Sequence, residues 1–261
     1  MRFSKKIKDF KVYKFIKKIF FKYFFKNIYF KINPWHNSSK LRKLEKEIAF
    51  LKNKYENDFL KDAKGVIHVG ANLGQERYIY DYFMLDVIWF EPIPIIFNKL
   101  KENLREFPNQ IAYKNLITDK DKKSYDFLIA DNYASSSIFE FHLHKSIWPS
   151  IKQNKKISLE SLTLNTFFEK NNIDLNNYDT LIMDTQGSEL LVLKGAKNIL
   201  KKIKYIKTEV SDFESYKGCC QLEDMDKFME RNGFKAVLKS CFKRHEAGNY
   251  YDVLYEKNKF N

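Results

Sequence analysis

The residues that decide the fold of this chain are Gly65-Val-Ile-His-Val-Gly-Ala-Asn-Leu-Gly-Gln-Glu76. The mostly apolar, β-branched run at residues 66–69 predicts a buried parallel strand. Gly70 and Gly74 then bracket a tight turn, because glycine lets the backbone turn sharply and lets a ligand approach without a Cβ in the way. Asn72 is expected to cap the helix that follows. A strand, a glycine turn and a helix N-terminus together predict a cradle for a nucleotide-type ligand.

A second apolar run, residues 85–90, leads into Glu91. A carboxylate at the end of the second strand is well placed to accept hydrogen bonds from the hydroxyls of a ribose. The Gly-x-x-x-Gly spacing differs from the Gly-x-Gly-x-x-Gly pattern of dinucleotide enzymes, so the turn alone also permits a strand–turn–helix in which the glycines serve packing only. Glu91 favours the interpretation as a cofactor site.

The composition indicates an ordered α/β protein with one main domain. A chain of 261 residues can bury a sizeable core, and its 24 Phe and 16 Tyr against 8 Gly and 5 Pro argue against disorder. The three cysteines, Cys219, Cys220 and Cys241, form neither an even disulfide framework nor a metal-binding spacing. This favours a reducing, cytoplasmic location.

Most of the net charge of +14 belongs to the first 32 residues, which hold ten Lys and one Arg against one Asp. Their lysines recur every three or four residues and predict a helix with a basic stripe opposite Ile16, Phe20 and Phe24. We predict that residues 1–32, the basic arm, lie on an anionic membrane surface at its cytoplasmic side. The same pattern also permits a helix that packs on protein. Residues 33–40 are predicted to be a linker to a catalytic domain at 41–261.

Further strands and helices are predicted along that domain. Residues 110–117 are expected to form a third strand, and short strands are expected within residues 124–144. His142 and His144 would share one exposed face there, as ordinary surface histidines and not as metal ligands. A buried strand at residues 180–183 leads directly into Asp184.

The end of the chain predicts how the sheet is closed. Residues 203–210 are predicted to form a strand that contains Glu209, and two more apolar stretches follow at residues 235–242 and 250–255. Because the connection between the last two is too short for a parallel crossover, they should pair antiparallel. A doubly wound, mostly parallel sheet closed by an antiparallel C-terminal hairpin is the arrangement of class I S-adenosylmethionine methyltransferases. We therefore expect a Rossmann-like α/β fold.

Over residues 64–256 the chain resembles the FkbM-type methyltransferases. The motifs that carry the resemblance are Ile67-His-Val-Gly-Ala-Asn-Leu-Gly-Gln-Glu76, Trp89-Phe-Glu-Pro92, Ser135-Ser-Ser, Asp184-Thr-Gln-Gly-Ser-Glu-Leu-Leu-Val-Leu-Lys-Gly-Ala196 and Lys207-Thr-Glu-Val210. One departure is His68, where many members of the family have Asp. This difference bears on the role of position 68 and not on the resemblance as a whole.

The resemblance implies S-adenosylmethionine as the cofactor and O-methylation of a hydroxyl on a sugar, a surface glycan or a secondary metabolite. By position, Glu91 would hold the ribose and Asp184 would face both the sulfonium and the acceptor. The residues implied to hold the methionyl part of the cofactor are Gly70, Ala71, Asn72 and Gly74. The acceptor would be a small molecule or a lipid-linked glycan.

The chemistry of methyl transfer needs alignment first and a base second. Holding donor and acceptor in line contributes up to ~7–11 kcal/mol, and a base that removes the hydroxyl proton adds ~10²–10⁴-fold. Asp184 is the first candidate for this base, with Glu209 and His68 as the others. Asp184 could instead cap the helix that follows it. We predict no metal site, although Asp184 and Glu209 together could hold a divalent ion.

Three other functions compete with this prediction. A nicotinamide-dependent sugar enzyme would need the dinucleotide glycine pattern and usually a Tyr-x-x-x-Lys pair, and the sequence has neither. An RNA methyltransferase is suggested by the positive charge, but that charge lies in the basic arm, so no nucleic-acid partner is expected. A non-catalytic, membrane-associated protein with a methyltransferase fold is the third.

Overall fold

The computed structural model describes residues 57–258. The predictions for the basic arm and for the linker at 33–40 lie outside the described residues. Within residues 57–258 no helix has both the length and the apolar character needed to cross a membrane.

Ten strands and six α-helices make up the described part of the chain. The strands are β1 (Gly65–Val69), β2 (Asp86–Phe90), β3 (Gln110–Tyr113), β4 (Leu116–Ile117), β5 (Ser124–Ala130), β6 (Gln153–Leu162), β7 (Thr180–Met183), β8 (Tyr205–Ser211), β9 (Phe234–His245) and β10 (Gly248–Lys257). The helices are α1 (Arg77–Tyr82), α2 (Pro94–Asn103), α3 (His144–Ile147), α4 (Leu164–Lys170), α5 (Glu189–Lys194) and α6 (Leu222–Arg231).

Seven strands form the main sheet in the order β3-β2-β1-β7-β8-β10-β9. The first five pair in parallel, whereas β10 pairs antiparallel with both β8 and β9. The expected doubly wound, Rossmann-like sheet with its antiparallel C-terminal hairpin is therefore confirmed. The strand order reverses between β1 and β7, and in open α/β sheets the ligand crevice lies at that point, beyond the carboxyl ends of the strands.

Apolar runs that are covered on both faces build the centre of this sheet. All five residues of β1 and all four of β7 are buried. The largest core cluster joins Ile67, Phe90, Leu181 and Ile206 of neighbouring strands to Phe167 of α4. Burying a large aliphatic or aromatic side chain of this kind contributes ~1.5–3 kcal/mol, so the sheet centre is a rigid base for the residues that follow each strand.

The predicted third strand at residues 110–117 is in fact two strands that belong to different sheets. β3 extends the main sheet, while β4 pairs with β6 in a separate three-stranded sheet of order β4-β6-β5. The prediction of several strands in residues 124–144 was also wrong beyond β5. Asn132 accepts a hydrogen bond from the backbone N–H of Ala134 and starts a short 3₁₀ turn at Tyr133–Ser135, which ends the extended backbone there.

The two histidines of that region do not share a strand face. His142 is exposed, and its Nδ1 lies 3.1 Å from the Glu214 carboxylate. His144 begins α3 and is only 2% exposed, with its ring stacked 4.0 Å from the ring of Phe141. Burial lowers the pKa of His144 to about 4, so the ring is neutral at neutral pH. His144 is therefore a core residue and not a surface histidine.

Candidate active site

A cavity of about 330 Å³ opens beyond the carboxyl ends of β1, β2, β7 and β8. This is the crevice expected at the point where the strand order reverses. Seven of the eight candidate residues from the sequence line it. They are His68, Gly70, Ala71, Asn72, Glu91, Asp184 and Glu209. The eighth, Gly74, is not among the lining residues.

The turn after β1 is shaped by close contact with β7. Gly70 has a φ of +85°, and a Cβ added to it would lie 1.9 Å from the backbone oxygen of Asp184. The backbone N–H groups of Gly70 and Ala71 both donate to the carbonyl of Phe90, at 3.1 and 2.9 Å. These bonds hold the turn against the end of β2. Only glycine combines the left-handed backbone with this close approach.

Glu91 is tied to the same turn by its carboxylate. Oε2 accepts from the Asn72 backbone N–H and Oε1 from that of Ile93, both at 2.8 Å, and the residue is 4% exposed. Each oxygen keeps a second lone pair that could accept from a ligand hydroxyl. Burial raises the pKa of Glu91 to about 7, while the two backbone hydrogen bonds lower it. The arrangement holds a carboxyl group at the position predicted for a ribose.

Two expectations about this turn need correction. Asn72 does not cap the following helix: α1 begins at Arg77, its N-cap position is Glu76 without a capping side chain, and Asn72 lies in the left-handed region with a φ of 45°. Gly74 faces α2 instead of the cavity, and a Cβ there would lie 2.7 Å from Leu100 Cδ1. The glycine at position 74 therefore serves packing between the turn and α2.

Asp184 follows β7 and opens into the cavity. Its backbone N–H donates to the Val69 carbonyl at 3.0 Å, which fixes the end of β7 beside β1. Its side chain is exposed to the cavity, and desolvation by the surrounding protein together with the nearby carboxyls of Glu189, Glu76 and Asp252 raises its pKa to about 7. A hydrogen bond of 2.6 Å from Gln186 Nε2 to Oδ1 acts in the opposite direction.

Asp184 is not the cap of α5. The N-cap position of this helix is Ser188, and Glu189 organises the preceding turn. The carboxylate of Glu189 accepts from the backbone N–H groups of Thr185 at 2.7 Å and Gly187 at 3.0 Å. Because Glu189 satisfies these donors, the Asp184 carboxyl is available to the cavity.

Glu209 belongs to β8 and lines the cavity beside the C-terminal hairpin. It is the partner of Asp252 where β8 pairs with β10. Since directly opposed residues point to the same face of a sheet, two carboxyls lie side by side there. Burial raises the pKa of Glu209 well above its ordinary value, and the neighbouring carboxyls of Asp184 and Asp252 raise it further.

His68 is held as a neutral ring at the base of the cavity. Its Nδ1 shares a hydrogen bond of 2.9 Å with the Tyr80 hydroxyl, and its ring stacks 4.5 Å from that of Trp89. Burial, together with the positive charge of Lys207, lowers the pKa of His68 to about 3. A base with so low a pKa takes up a proton poorly at neutral pH.

The sequence analysis missed several polar residues of the cavity: Glu76, Asn115, Gln186, Lys207 and Asp252. Lys207 and Glu209 are two positions apart on one strand and so point to the same face of the sheet. Since Glu209 was already a candidate, this spacing could have predicted that Lys207 also lies in the cavity. Asp252 gave no such signal, because only the pairing of β10 with β8 brings it to the site. Among residues 57–258, no group of three or more His, Cys, Asp or Glu is arranged to hold a metal ion.

A scan against protein families matches residues 68–236 to the methyltransferase FkbM domain, which is well over half of the chain. The chain belongs to the FkbM methyltransferase family. The resemblance in its motifs is thereby confirmed. A curated relative in this comparison is the 2-O-methyltransferase NoeI of Sinorhizobium fredii (strain NBRC 101917 / NGR234), 26% identical over 168 residues. That match covers 59% of this chain and 65% of the relative, so the chain spans less than two thirds of the relative's length.

Solved structures with a similar fold are more distant. The magnesium protoporphyrin IX methyltransferase of Synechocystis PCC 6803, solved with bound SAM, has a TM-score of 0.43 and 9% identity, covering 93% of this chain and 96% of that one. TrmK of M. capricolum, solved with S-adenosyl-homocysteine, has a TM-score of 0.45 and 11% identity, covering 79% of this chain and 69% of that one.

Proposed function

We propose that this protein is an S-adenosylmethionine-dependent O-methyltransferase whose acceptor is a hydroxyl of a sugar or glycan. One observation carries the proposal. In a single cavity the turn at Gly70 and the carboxyl of Glu91 face Asp184 and Glu209, at the point where the strand order reverses. Membership of the FkbM methyltransferase family supports the reaction class.

The cavity has the chemistry that this cofactor needs. Glu91 offers acceptor lone pairs to a ribose diol, and beside it Ile93, Leu116 and Phe127 form an apolar wall for a flat purine ring. Asn115 adds an amide that can pair with the edge of a base. When bound, S-adenosylmethionine supplies a methyl group on a positively charged sulfur. Carboxyl groups on the opposite wall favour that positive charge.

The charges of the cavity favour an uncharged acceptor. Five carboxyl residues line it: Glu76, Glu91, Asp184, Glu209 and Asp252. Among the described lining residues, Lys207 carries the one cationic side chain. Above about pH 7, where Glu91 and Asp184 are ionised, a phosphate or carboxylate on the acceptor would be repelled here, whereas hydroxyl groups can donate to the carboxylates. The same repulsion argues against an RNA phosphate backbone in the cavity.

Asp184 is our choice for the general base. A carboxyl with a pKa of about 7 is matched to proton transfer near neutral pH, in contrast to His68 with a pKa of about 3. With S-adenosylmethionine bound, Asp184 would take up the hydroxyl proton while the acceptor oxygen received the methyl group and the sulfur kept the electron pair of its former bond to that carbon. S-adenosylhomocysteine and the methyl ether are the products. The name of the curated relative, a 2-O-methyltransferase, supports an oxygen acceptor.

Two measurements test this function. Titration calorimetry should detect binding of S-adenosylhomocysteine and should detect no heat of binding with NAD under the same conditions. Transfer of tritium from methyl-labelled S-adenosylmethionine should then be measured with neutral oligosaccharides and with sulfated or uronic-acid counterparts of equal length. We expect label in the neutral set. Failure to bind S-adenosylhomocysteine would refute the enzyme assignment, while label only in the acidic set would refute the proposed acceptor class.

A further inference from the structure

Gln186 lies between Asp184 and Glu209, two of the three candidate bases. Its backbone has a φ of 55°, in the left-handed region, and its carbonyl accepts a hydrogen bond of 2.7 Å from Ser137 Oγ. The side-chain Nε2 donates to Asp184 Oδ1 at 2.6 Å and to Glu209 Oε1 at 3.4 Å. One amide nitrogen therefore bridges two carboxyl groups that come from different strands. The backbone conformation at position 186 is strained for any residue with a side chain, and local structure at functional sites often stores such strain.

Tyr216 holds the other end of this amide. Its hydroxyl lies 2.6 Å from Gln186 Oε1 and 3.2 Å from the Ser135 carbonyl, and the residue is 2% exposed. The hydroxyl has a single hydrogen, which it donates to the nearer acceptor, Gln186 Oε1. Reversing the amide would turn its oxygen toward two carboxyl oxygens and its NH₂ toward the tyrosine. The two carboxyl oxygens, which accept, therefore select the orientation in which Nε2 faces them.

We propose that Gln186 and Tyr216 are positioning residues that hold Asp184 and Glu209 as one coupled pair, and that this pair, and not Asp184 alone, manages the acceptor's proton. The proposal rests on the function proposed above. We call the Gln186 side chain with its bond from Tyr216 the amide bridge. An amide NH₂ has two hydrogens, one for each carboxyl, and it stabilises the charged form of either. Two carboxyls this close cannot both ionise easily, so the proton held by one depends on the state of the other.

The surroundings of the pair reinforce this coupling. Desolvation raises the pKa of both carboxyls, and the negative charge of Asp184 raises the pKa of Glu209 further. Lys207 lies on the same strand face as Glu209 and is the cationic group nearest in sequence to the pair. The titratable or charged groups that face the pair from the packed elements are Glu76, Glu91, Glu189, Asp252, Lys207, His68, Tyr216 and Tyr250.

The test is a carbon-13 NMR titration of the full chain, labelled at the carboxyl carbons of Asp and Glu. The signals of Asp184 and Glu209 are assigned by their loss in Asp184→Asn and Glu209→Gln. In the unmodified protein we expect the pair to titrate in two separate steps. Removing one member should lower the remaining midpoint by at least about one pH unit, because a like charge has been removed. Independent titration, with the second midpoint unchanged, would overturn the coupled pair.

Two further variants test the amide bridge itself. Gln186→Leu removes the donor to both carboxyls, so the Asp184 midpoint should rise by at least about one pH unit. Tyr216→Phe keeps the ring but releases the amide, and should move the same midpoint upward by about half as much. Tyr255→Phe is the matched control, since it deletes the hydroxyl of another buried tyrosine that bonds a carboxylate, that of Asp226, away from the cavity. It should leave the Asp184 midpoint in place.

Midpoints of Asp184 that match the unmodified protein in both Gln186→Leu and Tyr216→Phe would overturn the amide bridge. If Gln186→Leu fails to fold, Tyr216→Phe alone decides. The titration needs neither cofactor nor acceptor. Calorimetry with S-adenosylhomocysteine on the same unmodified sample therefore tests the proposed function separately from the coupled pair. No binding of S-adenosylhomocysteine, together with a coupled titration, would refute the proposed function and still support the coupled pair.

Discussion

Glu91 places a carboxyl group where its ionised form is unfavourable. The residue is 4% exposed, and two backbone N–H groups only partly compensate for lost hydration. Its pKa of about 7 in the folded chain is above the ordinary 4.5, so the folded state holds this proton more tightly than the unfolded state does. The resulting stabilisation is complete below pH 4.5 and is lost as the pH rises toward 7.

We therefore predict a different pH dependence of stability for Glu91→Gln. Between pH 4.5 and 7 the unmodified protein should lose about 3 kcal/mol of unfolding free energy that the variant keeps, since the variant has no proton to lose at this site. Urea unfolding of both proteins across this pH range measures the difference in unfolding free energy. The contributions of titrating groups that both proteins share cancel in this difference. Parallel curves would show that Glu91 titrates normally in the folded chain.

Asp184 has a different task, because its carboxyl opens into the cavity and does not cap α5. For Asp184→Asn we predict a fall in turnover of at least ~100-fold, with S-adenosylhomocysteine affinity and melting temperature nearly unchanged. The unmodified enzyme should gain activity as the pH rises through about 7, where Asp184 loses its proton. Initial rates with a neutral oligosaccharide acceptor measure both effects. A lower melting temperature with intact turnover would instead assign Asp184 a structural role.

At the scale of elements, the strand β1 and its turn depend on contact with β7. A Cβ at Gly70 would lie 1.9 Å from the Asp184 backbone oxygen, whereas a Cβ at Gly218 would meet nothing within 4 Å. Both glycines have a positive φ, +85° and +73°. Gly218→Ala is therefore a control for backbone conformation alone.

We predict that Gly218→Ala costs ~1–2 kcal/mol of unfolding free energy, the penalty of a left-handed backbone for an L-residue. Gly70→Ala should lose a further ~1–3 kcal/mol, because the added methyl group forces the ends of β1 and β7 apart. The same variant should weaken S-adenosylhomocysteine binding, since the turn lines the cavity. Chemical unfolding and calorimetry test the pair of variants. Equal losses of stability would mean that the contact between β1 and β7 is not tight.

At the scale of the whole molecule, charge is distributed very unevenly. Residues 1–32 carry ten Lys and one Arg against one Asp, while the cavity in the described part of the chain is lined mainly by carboxyls among its charged groups. A basic arm and an acidic cavity suit different partners. We infer that the basic arm contacts an anionic lipid surface, which would bring the enzyme near lipid-linked acceptors.

Co-sedimentation with vesicles tests this inference. Each lysine near an anionic surface contributes ~1 kcal/mol, so the full chain should bind vesicles that contain anionic lipid and should release from them as salt rises and screens charges beyond ~8 Å. The aromatic residues of the arm should leave some binding that salt does not remove. A chain that starts at Leu41 is the control and should stay in the supernatant. Equal sedimentation of both chains would assign the arm to protein contacts.

Local sequence determined much of this protein. The apolar runs at residues 66–69 and 180–183 predicted buried strands, because a strand that is apolar throughout must be packed against other residues on both faces. Gly70 marked a turn because only glycine adopts its backbone easily, and Glu91 and Asp184 followed as the polar residues at the strand ends. The antiparallel hairpin followed from a connection too short for a crossover. All of these depend on neighbours along the chain.

Tertiary structure alone decided the rest. Asp252 reaches Glu209 only through the pairing of β10 with β8, and Tyr216 reaches Gln186 across 30 residues of chain. The burial of His144 depends likewise on packing against the ring of Phe141 and the fold around it. A local sequence pattern predicts which face of its strand or helix a residue lies on. It does not predict which residue from a distant part of the chain lies opposite, because packing of the whole core determines that contact.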